Sequence, residues 1–110
     1  MTVQTRWVPE AIEDLRAGYD WYDERQAGLG SQLAPETFEA VAEGARFPLA
    51  HKRYEHAQLP DLPEVRKVQL GRFSEYGVIY TVVDDTFWVI AVAHAKRRPG
   101  YWADRLDTLR

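Results

Sequence analysis

The sequence predicts an α+β fold: an N-terminal strand, an antiparallel two-helix hairpin, a mainly antiparallel three-stranded meander that brings the strands to four, and a short C-terminal helix. Three observations carry this. Apolar residues recur at helical spacing between residues 9 and 47. From residue 65 to residue 95 the chain changes to runs rich in β-branched and aromatic side chains, which favour strands. Gly28-Leu29-Gly30 and Asp84-Asp85-Thr86 punctuate the chain as turns do.

Thr2 to Val8 alternates Val3, Thr5 and Trp7 with Gln4 and Arg6, the pattern of a half-buried strand. Pro9 suits the first position of a helix, where its missing N–H would be unsatisfied anyway. Glu10, Glu13 and Asp14 then place acid near the positive end of the helix dipole. Ile12, Leu15, Tyr19 and Tyr22 form its apolar stripe, and Gly28 is placed for a left-handed cap. The second helix runs to about Phe47, with Phe38, Val41, Ala42 and Ala45 inward. Ser31 is a candidate cap, but Pro35 moves the expected start of regular helix toward itself.

Residues 48–64 read as a loop containing Pro48, Pro60 and Pro63. Val65 to Phe73 reads as a strand with Arg66, Val68, Leu70 and Arg72 on one face and a candidate bulge at Gly71. Tyr76 to Val83 is a second strand, and the Asp84-Asp85-Thr86 turn leads into a third at Phe87 to Ala95. That last run is apolar at nearly every position, as in a central strand covered on both faces. Pro99 ends the sheet, and Tyr101 to Leu109 forms the terminal helix. Tyr19, Tyr22, Phe38 and Val41 are expected to pack on the sheet face carrying Val68, Leu70, Val78 or Ile79, and Ile90.

A chain of 110 residues falls within the range of one domain spanning 1–110. The absence of cysteine excludes disulfides and thiolate metal sites. The N-terminus lacks an apolar signal segment, and the longest apolar run, Phe87 to Ala93, is too short to cross a bilayer. A cytoplasmic location with no membrane partner is therefore expected. The net charge of −3 disfavours a general nucleic-acid binder held by phosphate neutralisation. That average hides a division. Residues 1–45 carry three Lys/Arg against nine Asp/Glu, whereas residues 46–110 carry eleven against eight.

The segment His94 to Trp102 concentrates the candidate chemistry: one imidazole, the cations Lys96, Arg97 and Arg98, and the aromatics Tyr101 and Trp102. Guanidinium groups grip phosphates, and aromatic faces accept stacked bases or a partner's apolar side chains. The same residues also suit a solvated basic turn followed by aromatics that seal the core. Arg66 and Arg72 can track a charged surface or make ordinary ion pairs. His51, Glu55 and His56 sit in the proline-rich loop, where no regular element fixes them as ligands. There is no glycine-rich phosphate loop and no nucleophile elbow. Neither a metal nor a cofactor is expected.

The run Val89 to Trp102 resembles the closing strand and tail of ParE-type toxins in the RelE/ParE superfamily. Arg72-Phe73 followed by Tyr76-Gly77-Val78-Ile79-Tyr80 is similar to that family's Arg-Phe and Tyr-x-x-x-Tyr strand pair. Trp21-Tyr22 and Gly28-Leu29-Gly30 match its helical hairpin. One departure stands out: Phe73-Ser74-Glu75-Tyr76 replaces a frequent Phe-Pro-Tyr and brings in an acid.

The resemblance implies the toxin of a type II toxin–antitoxin pair, held inactive by a small cognate antitoxin with an extended C-terminal tail. ParE-like members poison DNA gyrase by binding it, and RelE-like members are ribosome-dependent ribonucleases. On the first reading Arg97, Arg98, Tyr101 and Trp102 meet the target. On the second, Arg66, Arg72, His94 and Tyr101 share the roles of base, acid and phosphate clamp. A third reading is a relative that only binds its partner. The low basicity places gyrase ahead of the ribosome. Antitoxin contact is expected at Trp7, Trp21 and Tyr54 around a sheet edge, with basic residues on the antitoxin facing the acidic hairpin.

Overall fold

A computed structural model describes residues 4–54 and 64–109. Its elements are β1 (Gln4–Trp7), α1 (Pro9–Arg25), α2 (Gly30–Arg46), β2 (Arg66–Gln69), β3 (Tyr76–Val83) and β4 (Thr86–His94), followed by a 3₁₀ helix at Ala103–Leu109. The strands form one sheet in the order β1-β4-β3-β2, with β1 parallel to β4 and the other neighbours antiparallel. The α+β arrangement expected from the sequence is the one observed, and the apolar β4 is indeed central. None of the described helices is long and apolar enough to cross a membrane.

The β3–β4 hairpin is tight because Val83 pairs with Thr86, leaving only Asp84 and Asp85 in the loop. Both have positive φ, 50° and 61°, as the type I′ turn requires. That turn matches the twist of its flanking strands, and aspartate tolerates the left-handed region better than most side chains.

Both helices lie on one face of the sheet, and their inward faces agree with expectation in part: Val41 is buried and Leu15, Tyr22 and Ala45 pack on the core, whereas other expected residues do not. In α1 the buried residues are Ala11 and Gly18, while Ile12 and Tyr19 are exposed. Leu15 and Tyr22 are half-buried against the core. In α2 the inward residues are Gly30, Leu33, Thr37, Ala40, Val41 and Gly44. Phe38, expected in the core, is 54% exposed, and Ala42 is exposed as well. The cause is close approach. A Cβ on Gly44 would stand 2.8 Å from the Phe87 ring and 3.1 Å from Val68, so at that position α2 has no room for a side chain against the sheet. At Gly44 side-chain size, more than hydrophobicity, decides what can face the sheet.

Helix α2 also begins earlier than expected, running unbroken from Gly30 through Pro35. Pro35 removes one early N–H from the helix, and the buried Gly30 and Leu33 hold the first turn in place regardless. Ser31 does not cap it; its hydroxyl donates to the Gly28 carbonyl.

Strand β2 is shorter than expected and stops at Gln69. The Gln69 side-chain amide donates to the Ser74 and Tyr76 carbonyls, and the Leu70 N–H also donates to Tyr76, closing a turn. Arg72 consequently lies on that turn rather than on a strand face shared with Arg66, and Gly71 is part of the turn rather than a bulge. The bulge lies in β4. Ile79 pairs with Ala91 and Tyr80 with Val89, which leaves Ile90 without a partner.

Alternation along β3 directs Ile79 and Thr81 to the face away from the helices, and both are buried. The C-terminal tail supplies large apolar cover in Trp102 and Leu106, 1% and 2% exposed. The Trp102 ring meets Tyr54 edge-on at 5.0 Å between centroids.

The corrected faces make a direct contrast. Leu33→Ala removes a fully buried side chain and should destabilise by about 2–5 kcal/mol. Phe38→Ala should cost under about 1 kcal/mol, since the ring is half in solvent. Urea denaturation of the two variants measures both. Equal losses would return Phe38 to the core.

Candidate functional site

Strand β1 ends opposite Val89, so residues 90–94 of β4 run on with no neighbouring strand on that side among the described residues. An open edge leaves backbone donors and acceptors unpaired. Two side chains close part of it. Arg105 donates from Nη1 to the Ile90 carbonyl at 3.0 Å, and the Val92 N–H donates to Asp14 Oδ2 at 3.1 Å. Arg105 and Asp14 also grip each other through two bonds, 2.6 Å and 3.1 Å. The Tyr101 hydroxyl donates to the same carboxylate at 3.2 Å. Asp14 therefore accepts four hydrogen bonds while its side chain is only 8% exposed, against 13% for Arg105. One carboxylate joins α1, β4 and the tail.

Beside this clamp, α1 and the end of β4 enclose a cleft of about 490 Å³, lined by Asp14, Trp21, Tyr76, His94, Arg97 and Tyr101 among others. Trp21 is 40% exposed and carries the Arg25 guanidinium 3.3 Å above its ring. Arg97 lies 4.0 Å over the ring of Tyr101. Burial first, then the Asp14 charge, raises the Tyr101 pKa, with Arg105 and Arg97 pulling the other way.

His94 ends β4 with both ring nitrogens engaged. Nε2 lies 3.0 Å from Glu75 Oε2, and Nδ1 accepts the Lys96 N–H at 3.0 Å. The second bond fixes the tautomer, because an N–H donor can meet only an unprotonated Nδ1. Nε2 then carries the proton that Glu75 receives. Glu75 is the acid by which this chain departs from the frequent Phe-Pro-Tyr pattern, and its carbonyl also accepts the Ala95 N–H.

The structure brings Trp21, His94, Arg97 and Tyr101 together around this cleft and keeps the other candidates elsewhere. Arg66 donates to the His51 carbonyl and pairs with Glu64. It stands opposite Tyr80 whereas His94 stands opposite Tyr76, about 13 Å along β3. Arg72 rests beside the Phe73 ring on its turn. Arg98 is exposed on the turn after β4, whereas Trp102 is buried and offers no surface to a target. Trp7, Trp21 and Tyr54 do not share one groove. Trp7 borders an apolar groove of about 590 Å³ with Ile12, Leu15, Phe38 and Trp88, Trp21 lines the cleft above, and Tyr54 borders a basic hollow with Lys52, Arg53 and Lys67. Of the possible metal ligands, Glu55 and His56 lie outside the described residues. Among the described residues no three His, Cys, Asp or Glu side chains converge as a metal site.

Asp14 and Arg105 were not singled out as site residues by sequence reasoning. Asp14 reads as an ordinary first-turns acid until the small-residue face of α1 is recognised. On that face, between Ala11 and Gly18, a carboxylate demands a buried partner.

The fold and this tail define the class. The family profile described as "ParE toxin of type II toxin-antitoxin system, parDE" matches residues 5–99, and the chain belongs to that family. Its backbone is similar to a solved structure described as "Chromosomal ParDE TA system from P. aeruginosa", with a TM-score of 0.71 over 84% of this chain and 96% of that one. Identity there is 18%, a likeness of fold alone. No curated protein sequence matches the chain.

Removing Asp14 leaves the Arg105 charge buried without its partner. Asp14→Ala should destabilise by about 3–5 kcal/mol in chemical denaturation. Alkali provides a second check. Tyr22, Tyr76, Tyr80 and Tyr101 all have raised pKa values, Tyr80 to about 12, with burial as the leading cause. A phenol whose pKa is higher folded than unfolded contributes stability below its unfolded value, about 10, and loses it as pH rises toward the folded one. Stability should therefore fall above about pH 10, less steeply in Tyr101→Phe. An identical slope in that variant would contradict the burial of its hydroxyl.

Proposed function

We propose that this chain inhibits DNA gyrase by contact, through the exposed turn that carries Arg97 and Arg98 and the half-buried Tyr101, and that a cognate antitoxin neutralises it. The observation that carries the contact mechanism is His94. A general base needs a free lone pair and a general acid a proton directed at substrate. Here Nδ1 is filled by a backbone N–H and Nε2 faces Glu75. Arg66 and Arg72, the cations that ribonuclease chemistry would place on the phosphate, lie outside the cleft that holds His94. Exposed arginines beside an aromatic ring instead suit a protein contact, where such residues dominate binding energy.

The apolar groove beside Trp7 fits the antitoxin. It combines the free outer edge of β1 with half-exposed Ile12 and Phe38, the features that take up an extended, apolar-anchored segment. The surrounding helices are acidic, which favours basic residues flanking that segment.

Purified protein freed of antitoxin tests the target. Stabilised gyrase–DNA cleavage complexes should form, weaken at least tenfold in Arg97→Ala with Arg98→Ala, and persist in His94→Gln. Cleavage of ribosome-bound mRNA that disappears in His94→Gln, with gyrase unaffected, would establish the ribonuclease instead.

A further inference from the structure

The basic turn after β4 is held by two residues that belong neither to the target contact nor to the Asp14 and Arg105 clamp. The backbone N–H groups of its three residues are all committed. Ala95 donates to the Glu75 carbonyl at 2.7 Å, Arg97 to the His94 carbonyl at 3.0 Å, and Lys96 to His94 Nδ1 at 3.0 Å. In the last of these a side chain accepts the N–H two residues on, a part that Asn or Asp ordinarily plays in turns. An imidazole can play it only while Nδ1 is unprotonated and the ring is turned toward the backbone.

Glu75 supplies both conditions. Its carboxylate lies 3.0 Å from His94 Nε2, which favours the proton on that nitrogen and pins the ring from its far side. Trp21 and Tyr76 pack near the same ring, with centroids 6.2 Å and 4.9 Å away, but Glu75 is the group that bonds to Nε2. The histidine is shielded and its partner is not: the side chains are 16% and 57% exposed. A carboxylate just before β3 thus fixes a turn that follows β4. Beyond that turn Arg97 stacks 4.0 Å over Tyr101, and Arg98 stands in solvent.

We infer, on the reading that Arg97 and Arg98 meet the target, that Glu75 is a positioning residue for that contact: through His94 it holds the Lys96 N–H and so sets the geometry in which the two arginines are presented. A contact surface fixed in advance binds more tightly, because less freedom is lost on association. An exposed glutamate beside a histidine contributes little to the fold as an ion pair. Its removal therefore acts on the turn and not on global stability.

The full chain, freed of antitoxin, is measured first by itself. Its imidazole nitrogen NMR spectrum, at about pH 8.5 and so above the range in which imidazoles ordinarily titrate, should show His94 protonated on Nε2 and bare on Nδ1. Glu75→Ala should speed Lys96 amide exchange about fivefold to tenfold, the scale of one hydrogen bond, with the urea midpoint nearly unmoved. Glu75→Gln, whose side-chain carbonyl accepts the same proton, should restore the slow rate. In His94→Asn the side-chain oxygen accepts the Lys96 N–H with no tautomer to select, so adding Glu75→Ala should have no further effect. With gyrase, the concentration giving half-maximal cleavage complex should rise about threefold to fivefold in Glu75→Ala and return in Glu75→Gln. A proton on Nδ1, Lys96 exchange indifferent to Glu75→Ala, or a parallel fall in global stability would each overturn the inference. So would an undiminished Glu75→Ala effect in the His94→Asn background, or gyrase poisoning by Glu75→Ala at parent strength. Exchange is read without gyrase, so a parent chain that forms no cleavage complex contradicts the target reading while the Glu75–His94 hold on the turn is judged separately.

Discussion

The fold depends on one buried ion pair placed where the sheet runs out of strands. Asp14 and Arg105 are 91 positions apart in sequence, yet their two-bond contact fastens the C-terminal tail to α1 and to the bare edge of β4. Buried ion pairs are costly to desolvate and stabilise only when their remaining valences are met. Here they are met by the Val92 N–H, the Ile90 carbonyl and the Tyr101 hydroxyl. The pair substitutes for a strand: it supplies an acceptor and a donor where β1 has stopped. The bulge at Ile90 belongs to the same device, since it changes which backbone groups point outward just beyond the last β1 pairing.

Consequences follow for the surface. Fixing the tail leaves Trp102 and Leu106 buried in the core and the turn before them, Lys96 to Arg98, displayed in solvent. The bland and the functional readings of the His94–Trp102 segment are thereby divided among its residues. Trp102 seals the core, His94 is tied down by Glu75 and Lys96, and the arginines remain free for contact. The acidic helices meanwhile border a separate apolar groove on the β1 side. Charge asymmetry between the halves of the chain thus becomes a spatial separation of two surfaces.

Much of this was legible in the sequence. Strand order within the hairpin, the central position of β4 and the left-handed Gly28, φ 85°, follow from local pattern and turn chemistry. The helix faces were only partly legible from hydrophobicity, because Phe38, Ile12 and Tyr19 are large and apolar yet lie outside a packing layer that approaches the helices too closely for any side chain at Gly18 and Gly44. The length of β2 depended on Gln69 bonding across its turn, and the continuity of α2 on packing that outweighs Pro35. The site escaped for a different reason. Arg66, Arg72, His94 and Tyr101 are plausible by residue type, but which of them meet is set by strand register. The Asp14–Arg105 contact is set by a pairing across almost the whole chain, and no local window contains it.

Hydrogen exchange along β4 tests the central claim most directly. With Asp14 closing the edge, the Val92 amide should be protected nearly as strongly as the core amides of β3, while the His94 amide, two residues on and unpaired, should exchange orders of magnitude faster. Comparable fast exchange at both positions would show that the carboxylate does not stand in for a strand. The tail would then be held by its apolar contacts alone.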